Sequence, residues 1–354
     1  GVSWRMAPMV LITSVFTHLF GGSAGREGTA VQIGGSIASF TGKILRLKPE
    51  DVRLMLMAGI AAGFGSIFGT PFAGAIFALE VLTIGRLHYE AIIPCLFAAI
   101  LGDVFCAAWG VHHTQYTVLF STAGSPMFSW KSALLLLECF FCGIIFGLVA
   151  RMFSGLMHSM QEWYGQFSVP KLLRPVIGGV VVIVLVYILG TRDFLGLGVQ
   201  AEHAGGISIL QAFQDQNIGE LSWLWKLVFT VITLASGFKG GEVTPLFFIG
   251  ACLGNTLAWW LNAPIDLFAA MGFIAVFSGA SNTPLASTIM GAELFGTHNL
   301  IFFALVCFTA YFFSGHTGIY LSQRLDVAKT SGRTLSKPVS LLRLKNTHKK
   351  RSAG

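Results

Sequence analysis

Gly25-Arg26-Glu27-Gly28-Thr29-Ala30-Val31-Gln32-Ile33-Gly34-Gly35 lies between two apolar stretches of the chain. Glycines followed by helix-forming residues predict a helix N-terminus near Glu27. The free backbone N–H groups and the positive dipole end found there attract an anion. Glu27 brings a carboxylate to the same place. It can occupy an anion's position itself, or take a proton and swing away to admit one. A charged residue at bilayer depth costs at least about 2.5–3.5 kcal/mol, so Glu27 needs a function or a partner. The structural alternative is an ion pair with Arg26.

The same device returns further along. Gly240-Gly241-Glu242-Val243-Thr244-Pro245 has glycines that expose backbone N–H groups and a proline early in a helix. This block follows the first at an offset of 215 residues, and Lys239 is the alternative partner for Glu242. Gly59, Thr70-Pro71-Phe72-Ala73 and Glu80 then match Gly272, Thr283-Pro284-Leu285-Ala286 and Glu293, all at an offset of 213. Two blocks at nearly one offset predict two related halves, a first repeat of about 1–111 and a second of about 131–323. In an inverted repeat the two helix starts converge from opposite sides on one midplane point. Glu80 and Glu293, as symmetric positions, are expected to stabilise helix ends or a subunit contact. About 110 residues of the second half precede Glu242, whereas only 26 precede Glu27. Equal halves would require about 85 further residues before Gly1, so the chain is expected to be N-terminally truncated.

Composition places these motifs in a membrane. Of 354 residues, 54% are hydrophobic and 11% charged, with a mean hydropathy of +0.72. A soluble domain carries roughly 25% charged residues. A nucleic-acid binder, a disulfide scaffold and a disordered chain are excluded. The remaining class is an all-α polytopic membrane protein surrounded by lipid. Nearly uncharged runs cover 6–25, 54–85, 91–111, 132–150, 175–190, 227–238, 243–265, 267–292 and 300–313. Several are short or broken by Gly and Pro, which marks transporter folds with discontinuous helices. The run at 6–25 lacks a signal-peptide cleavage site and reads as a span.

The net charge of +7 has one source. Residues 324–354 hold Arg324, Lys329, Arg333, Lys337, Arg343, Lys345, Lys349, Lys350 and Arg351 against Asp326 alone. The transport domain, 1–323, is therefore close to neutral, and the basic tail is expected on the cytoplasmic side, with anionic headgroups as an alternative partner. Cys139 and Cys142 read as packing inside a span. The nine histidines show no metal-ligand spacing, and His112-His113 falls in a loop. No metal and no cofactor are expected. An intramembrane hydrolase would need a nucleophile with a base, or metal ligands, inside the spans; none is visible, so an enzyme is not expected.

Tyr320, in Ser314-Gly315-His316-Thr317-Gly318-Ile319-Tyr320, closes the last apolar run. Its O–H can donate to an anion from the cytoplasmic side, or serve as an aromatic-belt residue. At these motifs the sequence resembles the CLC family of chloride channels and anion/proton antiporters. Gly25-Arg26-Glu27-Gly28 with Gln32-Ile33-Gly34-Gly35 looks like that family's gating-glutamate motif. The block at Gly240–Pro245 aligns with its G-x-F-x-P motif, and Gly318-Ile319-Tyr320 with its anion-binding tyrosine. The resemblance implies the inverted-repeat helical fold, a homodimer in the cell inner (plasma) membrane, and one anion pathway per subunit. It implies Glu27 as external gate and proton carrier, with Glu242 as a second proton-transfer candidate. Gly25, Arg26, Gly28, Val243, Thr244 and Tyr320 are the implied anion-binding residues.

Four departures set the chain apart from the chloride members. The family's first anion motif, of G-(S/M)-G-I-P-E type, is absent. Glu242 and Val243 stand where those members carry an apolar residue and Phe. Thr29 stands where they usually have Pro. Val81 takes the place of the internal proton-accepting Glu of chloride/proton exchangers. Together these resemble the fluoride-exporting branch, with a Glu and a Thr beside the ion. The implied activity is fluoride/proton antiport; the alternative is a chloride channel or chloride/proton antiporter of the same fold.

Overall fold

A computed structural model describes residues 2–121, 130–166, 169–214, 218–329 and 334–345. Arg333, Lys349, Lys350 and Arg351 of the basic tail lie outside them. The chain is an all-α membrane fold of thirteen described helices and one small sheet. The first group is α1 (Met6–Leu19), α2 (Glu27–Ile44), α3 (Pro49–Phe68), α4 (Pro71–Glu80) and α5 (Ile92–Ala108). Then come α6 (Trp130–Gln166), α7 (Leu173–Leu189), the single turn α8 (Ile209–Ala212) and α9 (Ser222–Ala235). The last group is α10 (Val243–Leu261), α11 (Ile265–Ser281), α12 (Pro284–Phe295) and α13 (Leu300–Phe313). Four helices are long and apolar enough to cross a membrane by length and composition; most of the others are shorter.

The breaks have local causes. The apolar run at 54–85 divides because Gly69 ends α3 at φ +67° and Pro71 starts α4 at its first position, where a missing N–H is harmless. The run at 267–292 divides identically, with Asn282 at φ +60° and Pro284 opening α12. A different boundary moves. The apolar pattern of 132–150 stops at Arg151, but α6 continues to Gln166. Its 37 residues measure about 55 Å, well beyond a hydrocarbon core of about 30 Å. The extra turns are used: His158 Nε2 bonds the Gly318 carbonyl at 2.9 Å and braces the segment that carries Tyr320.

Helices approach closely where glycine faces glycine. Gly34 on α2 meets Gly59 on α3, and Gly250 on α10 meets Gly272 on α11; a Cβ at any of these would strike the facing carbonyl. In lipid, such van der Waals contact rather than water exclusion drives helix association. Helices α10 and α11 form the buried centre, and Phe247 stacks on Phe273 with ring centroids 3.9 Å apart. The tail is more than a run of positive charge. β2 (Arg324–Val327) pairs parallel with β1 (Thr83–Ile84), just after α4, and antiparallel with β3 (Thr334–Ser340).

Candidate functional site

The starts of α2 and α10 meet inside the protein. Gly25 and Gly241 form an isolated antiparallel bridge. The Gly25 N–H donates to the Gly241 carbonyl at 2.7 Å, and the Gly241 N–H to the Gly25 carbonyl at 2.5 Å. Only glycine permits this approach, because a Cβ on Gly241 would lie 2.7 Å from the Gly28 nitrogen. Among the described residues, the amides of Gly28 and Thr29 on one helix, and of Val243 and Thr244 on the other, have no backbone acceptor. Two positive helix ends therefore face one region.

Glu27 sits between them, 7% exposed. Its Oε2 accepts from the Arg26 N–H at 3.0 Å and from the Thr244 hydroxyl in a short hydrogen bond. The ion pair with the Arg26 guanidinium is not made among the described residues; Arg26 is exposed instead. Thr29 caps the same turn, its hydroxyl donating to the Arg26 carbonyl. Glu242 is the N-cap residue of α10 and makes no ion pair with Lys239 among the described residues. Tyr320 lies within electrostatic range of Glu242, and the Tyr320 ring packs edge-on to Phe77 at 6.5 Å. Val243 is buried beside it.

A cavity of about 780 Å³ leads to this point, walled by His18, Arg26, Glu27, Tyr116, Thr244 and Phe247 among others. Glu242 and Tyr320 do not line it. Glu27 and Thr244 thus form part of the cavity wall, whereas Glu242 and Tyr320 lie outside it; the Tyr320 ring packs on Phe77, which stacks with Phe64 and Phe277. Sequence patterns do not single out Tyr116 or His18. Tyr116 belongs to an irregular loop, and only its docking against Phe213, Phe273 and Phe295 turns it toward the site.

Glu80 and Glu293 hold helix ends, each on the opposite repeat. Glu80 accepts from the Leu285 and Ala286 amides at 3.2 and 3.0 Å. Glu293 accepts from the Phe72 and Ala73 amides at 3.0 and 2.8 Å.

Paired helix starts converging on a buried carboxylate, within two matched sets of discontinuous helices, define the inverted-repeat class of membrane transport proteins. The chain belongs to the voltage gated chloride channel family, the CLC family, whose profile matches residues 1–315. It is 45% identical to the chloride/fluoride channel protein of Pseudomonas syringae pv. tomato over 353 residues, 98% of this chain and 75% of that protein. Among solved structures it resembles a CLC-type fluoride/proton antiporter, with a TM-score of 0.82 and 38% identity over 90% of this chain and 77% of that one. A slow cyanobacterial chloride/proton antiporter shares the fold at a TM-score of 0.70 and 20% identity, covering 99% of this chain and 78% of that one.

Proposed function

We propose that this chain is a proton-coupled fluoride antiporter, working as a homodimer in the inner (plasma) membrane with its C-terminus cytoplasmic. The transport unit is 1–323, in two repeats of about 1–111 and 131–323, and the tail is 324–354. The observation that carries the reading is the Glu27 carboxylate, held by the Thr244 hydroxyl on the wall of the cavity. As an anion in that place it occupies the position a transported anion would take between the two helix starts. Protonation removes its charge, weakens its hold on Thr244 and frees the position, so proton uptake and anion passage become alternate states of one site. Gly25, Arg26 and Gly28 shape the outer helix start, and Val243 and Thr244 the inner one. Tyr320 supplies an O–H on the cytoplasmic side.

Glu242 and Thr244 support fluoride as the substrate. Fluoride is small, strongly hydrated and a strong acceptor, so it gains more from close O–H donors than chloride does. Thr244 offers one, and a protonated Glu242 offers a second. Val81, buried after α4, has no proton to carry, which leaves Glu242 as the inner proton acceptor. The transport reading makes the chain a carrier and not an enzyme.

Efflux from proteoliposomes of the full-length protein tests this. Fluoride efflux faster than chloride, with protons moving oppositely, is the expected result. Chloride efflux equal to or faster than fluoride defeats the fluoride reading. Anion flux without proton movement favours the second reading, a passive channel, toward which Val81 and the name of the Pseudomonas relative both point.

A further inference from the structure

Lys226, on α9, is fully buried, and among the described residues no carboxylate lies within ion-pair distance of it. Three consecutive carbonyls take its place. Nζ donates to Phe194 at 3.1 Å, Leu195 at 3.4 Å and Gly196 at 2.9 Å. Three acceptors match the three donors of an ammonium. The Phe248 ring lies 5.1 Å from the same nitrogen.

This arrangement decides where the other side of the loop points. In a planar trans peptide the C=O of one residue and the N–H of the next point in opposite directions. With the carbonyls of residues 194–196 turned onto Lys226, the N–H groups of Leu195, Gly196 and Leu197 turn away from it. The first donates to the Arg192 carbonyl at 2.9 Å. The other two have no acceptor among the described residues. Leu195, Gly196, Leu197 and Gly198 all line the cavity that Glu27 also lines. Gly196 and Gly198 have φ +54° and +72°, and a Cβ on Gly196 would meet nothing within 4 Å. Alternating hand along a short loop is the backbone pattern of an anion-binding nest.

A second group converges on the same wall. The ring nitrogens of His18 are buried with the Gly25 backbone beside them, and the ring lines the cavity. Arg26 and Lys226 lie within electrostatic range of it. The turn after α1 rests on the loop, since a Cβ on Gly21 would lie 3.6 Å from Leu195 Cδ1. Of the acids on the cavity wall, Asp193 is turned to His203 at 3.7 Å.

We propose that residues 194–198 form an outer capture site for a halide ion, with the N–H groups of Gly196 and Leu197 as donors, the Lys226 ammonium behind them and His18 as a further polar side chain on the same cavity wall. The site rests on the reading of the chain as an anion transporter and adds a station before Glu27. Lys226 acts as a positioning residue. It holds the carbonyls so that the amides face the cavity, and its charge draws anions toward them.

The test compares Lys226→Met, Lys226→Gln and Lys226→Arg in the full-length protein. Initial rates are measured against external sodium fluoride and sodium chloride. Removing the charge should raise KM for the external anion by about tenfold, with a smaller change in kcat. The amide of Gln still donates hydrogen bonds but carries no charge, so Gln should resemble Met, while Arg should restore most of the wild-type KM. A Met variant with wild-type KM would overturn the proposal, and a Gln variant with wild-type KM would overturn the role given to the charge. Where Met does not fold, titration calorimetry with sodium fluoride on wild type and Lys226→Gln decides. One anion fewer per subunit in the variant supports the site, and equal stoichiometry overturns it. If the wild type carries no anion at all, the transport reading fails, and calorimetry still decides the capture site.

Discussion

Glu80 and Glu293 exchange places across the two repeats. Each ends or nears the end of its own helix, and each caps the matching helix of the other half through two backbone amides. The reciprocity ties α4 to α12. A carboxylate on a helix N-terminus satisfies orphan donors and meets the positive dipole end, so the link is both a hydrogen-bond pair and a charge–dipole contact.

Glu80→Ala and Glu293→Ala should each lower stability by about 1–3 kcal/mol, the cost of leaving buried donors unsatisfied. Glu→Gln at either position should cost less, because one acceptor oxygen remains. Thermal unfolding in detergent measures this. An unchanged midpoint for both alanine variants would mean the caps contribute nothing.

Glu27→Gln should abolish proton coupling while leaving anion flux. A neutral amide imitates the protonated carboxyl and cannot carry a proton. Simultaneous recording of proton and fluoride movement in proteoliposomes checks it. Proton transport that still tracks fluoride in the variant would remove Glu27 from the pathway.

Thr244→Val should reduce the ratio of fluoride to chloride efflux, and Glu242→Ala should do the same. A hydrogen bond to a charged group contributes about 1.5–3 kcal/mol, so losing one such donor corresponds to roughly tenfold or more. Paired efflux measurements read the ratio directly. Equal ratios in both variants and wild type would place selectivity elsewhere.

Gly241→Ala should separate the two helix starts. The added Cβ would lie 2.7 Å from the Gly28 nitrogen, a backbone atom and not the end of a flexible side chain. Flux should fall below detection in protein that still elutes at the wild-type position in size-exclusion chromatography. Wild-type flux in this variant would mean that the Gly25–Gly241 bridge is dispensable.

Docking of the tail should depend on pH through Lys329. Its Nζ donates to the Tyr311 carbonyl at 2.8 Å and the Ser314 hydroxyl at 3.0 Å, and burial pushes its pKa down to about 7. A free lysine titrates near 10.4. Between those values the undocked tail holds a proton that the docked tail lacks, so docking strengthens as pH rises through that window and is weakest below it. Intrinsic-rate-corrected hydrogen exchange at Arg324–Val327 should therefore show more protection at pH 9 than at pH 6.5. Equal protection would mean that Lys329 keeps its proton when docked.

Much of the site is legible in the order of residues along the chain. Glycine, proline and the paired offsets of 215 and 213 residues mark helix starts and a repeat, because helix ends are set by the few residues around them. Glu27 stands out since an ionisable group beside two apolar runs has few neutral explanations. Its partner does not. The local candidate is Arg26, one residue away, whereas the hydroxyl that holds Glu27 belongs to Thr244, 217 positions later. Lys239 is likewise the local candidate for Glu242, and no ion pair forms among the described residues.

The sequence by itself determined a polytopic helical membrane protein, its internal repeat, the breaks at Thr70-Pro71 and Thr283-Pro284, and the helix starts at Glu27 and Val243. Each follows from composition or from chemistry within one turn of chain. Only the tertiary structure decided that α6 runs on to brace Gly318, that Glu80 and Glu293 cap each other's half, and that the tail adds strands beside α4. It alone brought Tyr116, His18 and residues 194–198 to the cavity of Glu27. The reason is physical. These contacts join segments tens to hundreds of residues apart, and they exist because glycine-lined helices pack closely enough to bring distant backbone and side chains within hydrogen-bond range, which no local pattern encodes.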